Sequence, residues 1–403
     1  MKEVAITMTR FTAGFTVIAA AMIGFAPMAA HGVAPSPRTL QDFLDGPLAP
    51  IDEIVFAVRV CGFDHWYANF GRYSATVAEY PPQRGTPDEI IPPCFGEGGR
   101  LCRVNIRTHE VKVLLEDLRG GVRDPQVHCD GKRIVFSYRR GGEDQYHLYE
   151  IRSDGTGLRR LTDGPWDDIE PTYLPNDDIV FCSSRCNRFV NCYRTPVATL
   201  YRCDGDGRNV RVLSTNIEHD NTPWMLSDGR ILYMRWEYVD RSQFAFHHLW
   251  TTNPDGTGQM VFYGNQRNGI AMLDAKPIPG TKKIVAAFSP GHGVPGHMGH
   301  ITIVDPTSGP DREASARRIS KGLLRDPYPI SEHCFLAADN RGIVVLDDQG
   351  HSQLLVARPS GEALTYHEPR PLRLRLREPV LTERAEADAK TGRLVLADIS
   401  LPP

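Results

Sequence analysis

The chain has 403 residues, with Lys and Arg totalling 46, Asp and Glu totalling 49, and a net charge of −3. That balance excludes a nucleic-acid binder working through excess positive charge. A composition that is 41% hydrophobic and 24% charged excludes a globally disordered chain. With 36 Gly and 31 Pro, turn-formers are too frequent for a helical bundle, whose helix interiors accept neither residue well.

At the N-terminus, Lys2 and Arg10 precede an apolar run from Phe11 to Phe25, and the small residues Ala26, Ala29 and Ala30 follow. Charged start, apolar centre and small residues form a secretory signal pattern over residues 1–30. An uncleaved anchor is the rival, because ~20 apolar residues span a bilayer; Thr12, Gly14, Thr16 and Pro27 interrupt this run. The segment has no Cys to carry a lipid, and no later run is long enough to span. The expected location is periplasmic or secreted, with no membrane span after cleavage.

From about residue 50 the chain repeats itself. Each unit opens with a polar residue and Pro, then a short turn, then a β-branched run. Asp124-Pro125 precedes RIVFSYR (133–139), Glu170-Pro171 precedes DIVFCSSR (178–185), and Thr222-Pro223 precedes RILYMRWE (230–237). Lys276-Pro277 precedes KIVAAFS (283–289), Asp326-Pro327 follows, and IVFAVR (54–59) is an earlier, partial copy. Each second half is a hairpin around Asp-Gly, as in YHLYEIRSDGTGLRRLT (146–162). Four short strands per unit of 40–50 residues is the signature of propeller blades. The expected fold is all-β, a six-bladed β-propeller of four-stranded blades over 50–358, preceded by the signal peptide. A tail over 359–403 follows, in which GRLVLADI (392–399) reads either as a strand that helps close the ring or as part of a free docking arm.

Several constellations can carry chemistry. HWYANF (65–70) places His65, Trp66 and Tyr67 in one turn-rich segment; with Trp224 and Trp236 they form the aromatic surface candidates, against interblade packing. Cys182, Cys186, Cys192 and Cys203 are crowded among nine cysteines and read as disulfides in an exported chain. Loops entering inner strands gather at a propeller's axis. The channel candidates are therefore Asp124, His128, Asp168, Glu170, Glu218, His219, Asp220, Asp274 and Lys276. Converging carboxylates and imidazoles suit Ca²⁺ or a transition metal; the competing reading is blade-to-blade bonding, because a catalytic group is singular and a packing device recurs. GHGVPGHMGH (291–300) offers His292, His297 and His300 as a separate metal candidate. No C-x-x-C-H occurs, so no c-type haem attaches in the usual way.

The repeat grammar resembles the TolB-type propellers. A narrower resemblance rests on HWYANFGRYS (65–74), DDIEPTYLPNDDIVFCSSRCNRFVNC (167–192), EHDNTPWMLSDGRILYMRWEYVDRSQ (218–243), LDAKPIPGTKK (273–283), FSPGHGVPGHMGHITIVDP (288–306) and HEPRPL (367–372). These segments are similar to the middle, propeller domain of the hydrazine synthase alpha subunit family. In that family the propeller lies between haem-bearing domains, whereas this chain has no haem attachment motif. The resemblance implies a propeller and does not imply hydrazine synthesis. The expected function is a non-catalytic scaffold or interaction module in a periplasmic redox assembly, with a haem-bearing subunit as partner. The alternative is a metal-dependent enzyme with its site in the central channel.

Overall fold

The computed structural model describes residues 38–61, 96–191, 196–241, 243–290, 296, 298–385 and 389–391. Runs rich in Val, Ile and Phe form strands because β-branched and aromatic side chains fit a pleated, buried surface. The first blade contains β1 (Glu53–Arg59), β2 (Gly99–Asn105) and β3 (Val111–Asp117); the second contains β4 (Gly121–Val127), β5 (Arg133–Arg139), β6 (His147–Arg152) and β7 (Arg159–Arg160). The third contains β8 (Asp168–Tyr173), β9 (Ile179–Ser183), β10 (Thr199–Cys203) and β11 (Arg211–Val212). The fourth contains β12 (Asp220–Met225), β13 (Ile231–Val239), β14 (Gln243–Thr252) and β15 (Met260–Tyr263). The fifth contains β16 (Ile270–Pro277), β17 (Ile284–Ser289), β18 (His300–Val304) and β19 (Ala316–Arg318); the sixth contains β20 (Arg325–Ser331), β21 (Cys334–Asp339), β22 (Gly342–Leu346) and β23 (Ser352–Ala357).

Strands within a blade pair antiparallel in chain order, which makes a six-bladed β-propeller. A short parallel pairing, Phe246 with Ile270 and His247 with Ala271, also joins the fourth and fifth blades through β14 and β16. Second strands such as β9 are buried along their whole length. A blade has a neighbour on each face, so alternation gives way to a continuous apolar run.

The first blade is completed from the far end of the chain. Its innermost strand is β24 (Thr365–Pro371), which pairs Val55 with Arg370 and Ala57 with His367. Tyr366 packs on Phe56 with ring centroids 4.8 Å apart. The expected closing strand at 392–399 lies outside the described residues. A short helix, α1 (Leu40–Asp45), is held by a reciprocal cap in which the Asp42 N–H donates to Thr39 Oγ1 and the Thr39 N–H donates to the Asp42 carboxylate. It buries Phe43 against a cluster that includes Ile54 and Leu336, so the first and sixth blades share its cover.

Beyond β24 the tail runs as a strap across successive blades. The Arg375 N–H donates to the Cys129 carbonyl (3.0 Å), Arg377 Nη1 donates to the Pro175 carbonyl (2.7 Å), and the Arg384 N–H donates to Asp255 Oδ2 (2.5 Å). The arginines of RLRLR thus face the protein, and Leu374 and Leu376 stand 79% and 94% exposed.

Every innermost strand carries one non-glycine residue with left-handed backbone: Asp124 (φ 58°), Glu170 (54°), Thr222 (50°), Asp274 (54°), Asp326 (57°) and Glu368 (49°). The ladder to the second strand slips at each of these places. A β-bulge of this kind re-aims one side chain out of strand alternation, and such a conformation costs on the order of 1–3 kcal/mol per residue. In the fifth blade the equivalent residue is Asp274, followed by Ala275, two positions before the Lys276-Pro277 pair that resembles the repeat in sequence.

Candidate functional site in the central channel

The six bulged residues meet at the axis. Asp124, Glu170, Asp274, Asp326 and Glu368 contribute carboxylates to the channel wall, and Arg59, Arg123, Lys276 and Arg370 contribute cations. The space open to water at its centre is about 60 Å³, and the channel opens to solvent. A water needs on the order of 10–15 Å³, so the centre of the channel has room for a few waters or an ion.

Four of the six links around the ring have one form. The backbone N–H of a bulged residue donates to the side chain of the bulged residue one blade earlier. Glu170 N donates to Asp124 Oδ2 (3.0 Å), Thr222 N to Glu170 Oε2 (2.6 Å), Asp274 N to Thr222 Oγ1 (3.2 Å) and Glu368 N to Asp326 Oδ2 (3.0 Å). Left-handed backbone turns each N–H toward the previous blade, and the bond offsets part of the strain.

Two of the arginines are paired with carboxylates. Arg123 Nε lies 2.6 Å from Asp124 Oδ2 and its Nη2 lies 3.3 Å from Glu170 Oε1, while Arg59 Nη2 lies 2.8 Å from Glu368 Oε1. Burial lifts the Glu170 carboxyl to about 7 even though Arg123 opposes it. Burial and the Arg370 guanidinium together push the Lys276 ammonium down to about 7. Lys276 Nζ donates to the Asp274 carbonyl (2.9 Å) and sits 4.7 Å from the centre of the Trp224 ring, a cation–π contact.

The channel therefore receives Asp124, Glu170, Asp274 and Lys276 of the sequence candidates. It does not receive His128, which sits at the end of β4 with Nε2 2.7 Å from Asp177 Oδ1, nor Asp168, which accepts from Ser183 Oγ (2.6 Å) and Arg185 Nη2 (2.7 Å). Glu218, His219 and Asp220 are also off the axis. Glu218 Oε1 accepts from the Asn191 N–H (3.3 Å), His219 Nδ1 accepts from the Ala198 N–H (3.0 Å), and Asp220 pairs with Arg235 Nε (2.9 Å). The bulge is the reason: Asp168 and Glu170 would share a face in a regular strand, but left-handed Glu170 turns inward alone. Sequence reasoning missed Arg59, Arg123, Thr222, Asp326, Glu368 and Arg370. The Asp-Pro and Glu-Pro dipeptides at 326 and 368 were the available signal for two of them.

The remaining candidates fall elsewhere. His300 lies partly buried at the start of β18, facing a groove with Arg267 and Arg318; His292 and His297 lie outside the described residues. Trp236 is a correction, because it is fully buried and stacks on His247 at 5.0 Å within the core, and so presents no surface. Trp224 lines the channel; His65, Trp66 and Tyr67 lie outside the described residues. The expectation of a disulfide is corrected for one pair, Cys182 with Cys203. Cys182, Cys186 and Cys203 are free thiols. Cys182 pairs across the ladder with Leu200, three positions from Cys203, so the two point to opposite faces roughly 10 Å apart along the strand. Cys192 lies outside the described residues.

At one mouth of the channel a larger apolar groove of about 470 Å³ opens between the strap and the fourth to sixth blades. Trp224, Ile278, Tyr328, Leu374, Leu376 and Pro379 line it.

Blade topology and ring define the class, a TolB-like six-bladed propeller. TolB from Acinetobacter baumannii superposes with a TM-score of 0.51 at 15% identity, covering 80% of this chain and 68% of that one. Hydrazine synthase from Kuenenia stuttgartiensis superposes with a TM-score of 0.64 at 18% identity, covering 82% of this chain and 48% of that one. In sequence the chain is homologous to the hydrazine synthase subunit alpha of Kuenenia stuttgartiensis, with 25% identity over 319 residues. The match covers 63% of this chain and 38% of that subunit, so the chain spans well under two thirds of its relative. No family model matches. Among the described residues no helix is long and apolar enough to cross a membrane.

Proposed function

We propose that this chain is an exported propeller that acts as a non-catalytic interaction module in a multi-subunit periplasmic redox assembly, with a haem-bearing protein as its partner. The observation that carries this reading is the use of the channel's polar groups. The side chains of Asp124, Glu170, Thr222 and Asp326 each accept a backbone N–H from the next blade. Groups so engaged lock the ring, blade to blade.

Further support comes from the surface and the N-terminus. Leu374 and Leu376 are exposed beside the apolar groove, held there by arginines that anchor the strap. Exposed leucines rimmed by charge are the usual face of a protein contact. The relative is a subunit by its name, and residues 1–30 carry a secretory pattern.

The test is isolation of the tagged chain from its own cells. The expected result is a chain processed near His31 that elutes in fixed ratio with a second polypeptide showing haem absorption. A monomer without haem absorption, recovered from the cytoplasm with its first thirty residues intact, would overturn the proposal.

A further inference from the structure

We infer that Asp326, His367 and Glu368 form a binding site for one first-row divalent metal ion of the zinc type, at the seam where the sixth blade meets the strand that closes the ring. All three residues are buried, at 5%, 0% and 4% exposure. One donor atom from each lies within 4.8 Å of the other two. His367 Nδ1 is 3.4 Å from Asp326 Oδ2. With zinc–nitrogen and zinc–oxygen bonds of ~2.1 Å, tetrahedral ligand atoms stand roughly 3.4 Å apart.

The hydrogen bonds leave a gap of the right kind. The Thr365 hydroxyl has one proton, which it gives to the Arg59 carbonyl (3.2 Å). With its proton on that carbonyl it accepts from His367 Nε2, 2.8 Å away, and the Nε2–H tautomer is the one the proposal requires. Nδ1 then carries a bare lone pair facing the Asp326 carboxylate, and it has no hydrogen-bond partner. Glu368 Oε1 is occupied by Arg59 (2.8 Å), but Oε2 is buried with no partner. In that tautomer the imidazole and the two carboxylates bring one acceptor atom each to within 4.8 Å of the others. A cation resolves that conflict, and an unsatisfied buried acceptor otherwise costs about 1–3 kcal/mol.

The surroundings match a metal site beyond its ligands. Ligating histidines donate their second ring N–H to an oxygen that fixes the ring, the role of Thr365 here. One imidazole with two carboxylates suits zinc, manganese or iron; Ca²⁺ prefers six to eight oxygens. The site is also singular. The residues before the other five bulged positions are Arg123, Ile169, Asn221, Leu273 and Arg325, so only the closing strand puts an imidazole next to the ring. An ion here ties β20 to β24 and so clasps the two ends of the ring. This goes beyond the interaction-module reading and holds whether or not a partner is found.

The test uses the mature chain, stripped with a chelator, re-equilibrated with zinc and gel-filtered. One zinc per chain is expected by elemental mass spectrometry, with X-ray absorption showing nitrogen and oxygen ligands and no sulfur. His367→Gln and Glu368→Gln should weaken binding about 100-fold, whereas Glu170→Gln, at an equivalent ring position, should retain it. Zinc should raise the unfolding temperature of the parent and leave that of His367→Gln unchanged. Folded parent protein that takes up no zinc, sulfur ligation, or full zinc retention by His367→Gln would each overturn the site. Should the variants fail to fold, ¹⁵N NMR of the metal-free parent decides. An unprotonated Nδ1 on His367 is expected, and an Nδ1–H donated to Asp326 sinks the proposal.

Discussion

The backbone N–H of Thr222 donates to the Glu170 carboxylate at 2.6 Å, across the seam between the third and fourth blades. Both residues hold left-handed backbone to make this contact possible. The same device, repeated around the axis, connects strain in one blade to a bond in the next.

Glu170 should therefore matter for stability in proportion to what replaces it. Glu170→Gln keeps an oxygen for Thr222 and is expected to cost about 1–2 kcal/mol. Glu170→Ala also strips Arg123 of one buried partner and is expected to cost about 3–5 kcal/mol. Urea unfolding of the two variants and the parent checks the order; equal, small losses would show that the ring bonds contribute little.

Glu218 predicts a pH dependence. One of its oxygens is buried without a partner, and burial raises the carboxyl from 4.5 to about 7. The folded chain then keeps this proton to higher pH than the unfolded chain does. Between these two values the native state binds more protons, so this group's contribution to stability falls as pH rises through the window. Glu218→Gln, a neutral mimic, should be more stable than the parent at pH 8 and close to it at pH 4. Denaturation midpoints at both values test this, and a loss of stability at pH 8 contradicts it.

The thiols should be reduced and slow to react. Burial pushes the Cys203 thiol up to about 12 and also raises Cys182 well above the ordinary thiol value, with Glu170 beside it adding to the effect. Alkylation of native protein without reductant should leave both residues untouched, and unfolding should expose both at once. Recovery of a peptide that joins Cys182 to Cys203 would refute the strand register.

Leu374→Asp with Leu376→Asp tests the strap as a contact surface. Both side chains are exposed, so stability should change by no more than about 0.5 kcal/mol. Co-elution with the partner should be lost. Retained co-elution would move the interface to another face of the propeller.

Much of this architecture was legible in the chain. Asp124-Pro125, Glu170-Pro171 and Thr222-Pro223 mark the bulge each blade needs, and Asp-Gly turns mark the hairpins. The register failed in the fifth blade, where Asp274 is followed by Ala275 and a neighbouring Lys276-Pro277 mimics the pattern. The sixth copy, Glu368-Pro369, escaped because it follows the last outer strand and belongs to the first blade. Asp168 and Asp220 were placed at the axis because loops entering inner strands gather there, but the bulge turns Glu170 and Thr222 inward instead.

The sequence alone determined the number of blades and the strand content, because periodic apolar runs and turn residues act locally. Tertiary structure alone decided which polar groups meet. Arg59 and Glu368 are 309 positions apart and lie 2.8 Å from one another only because the last strand pairs with the first. Ring closure brings Asp326, His367 and Glu368 to one seam, and no local spacing encodes a contact made by joining the two ends of a chain.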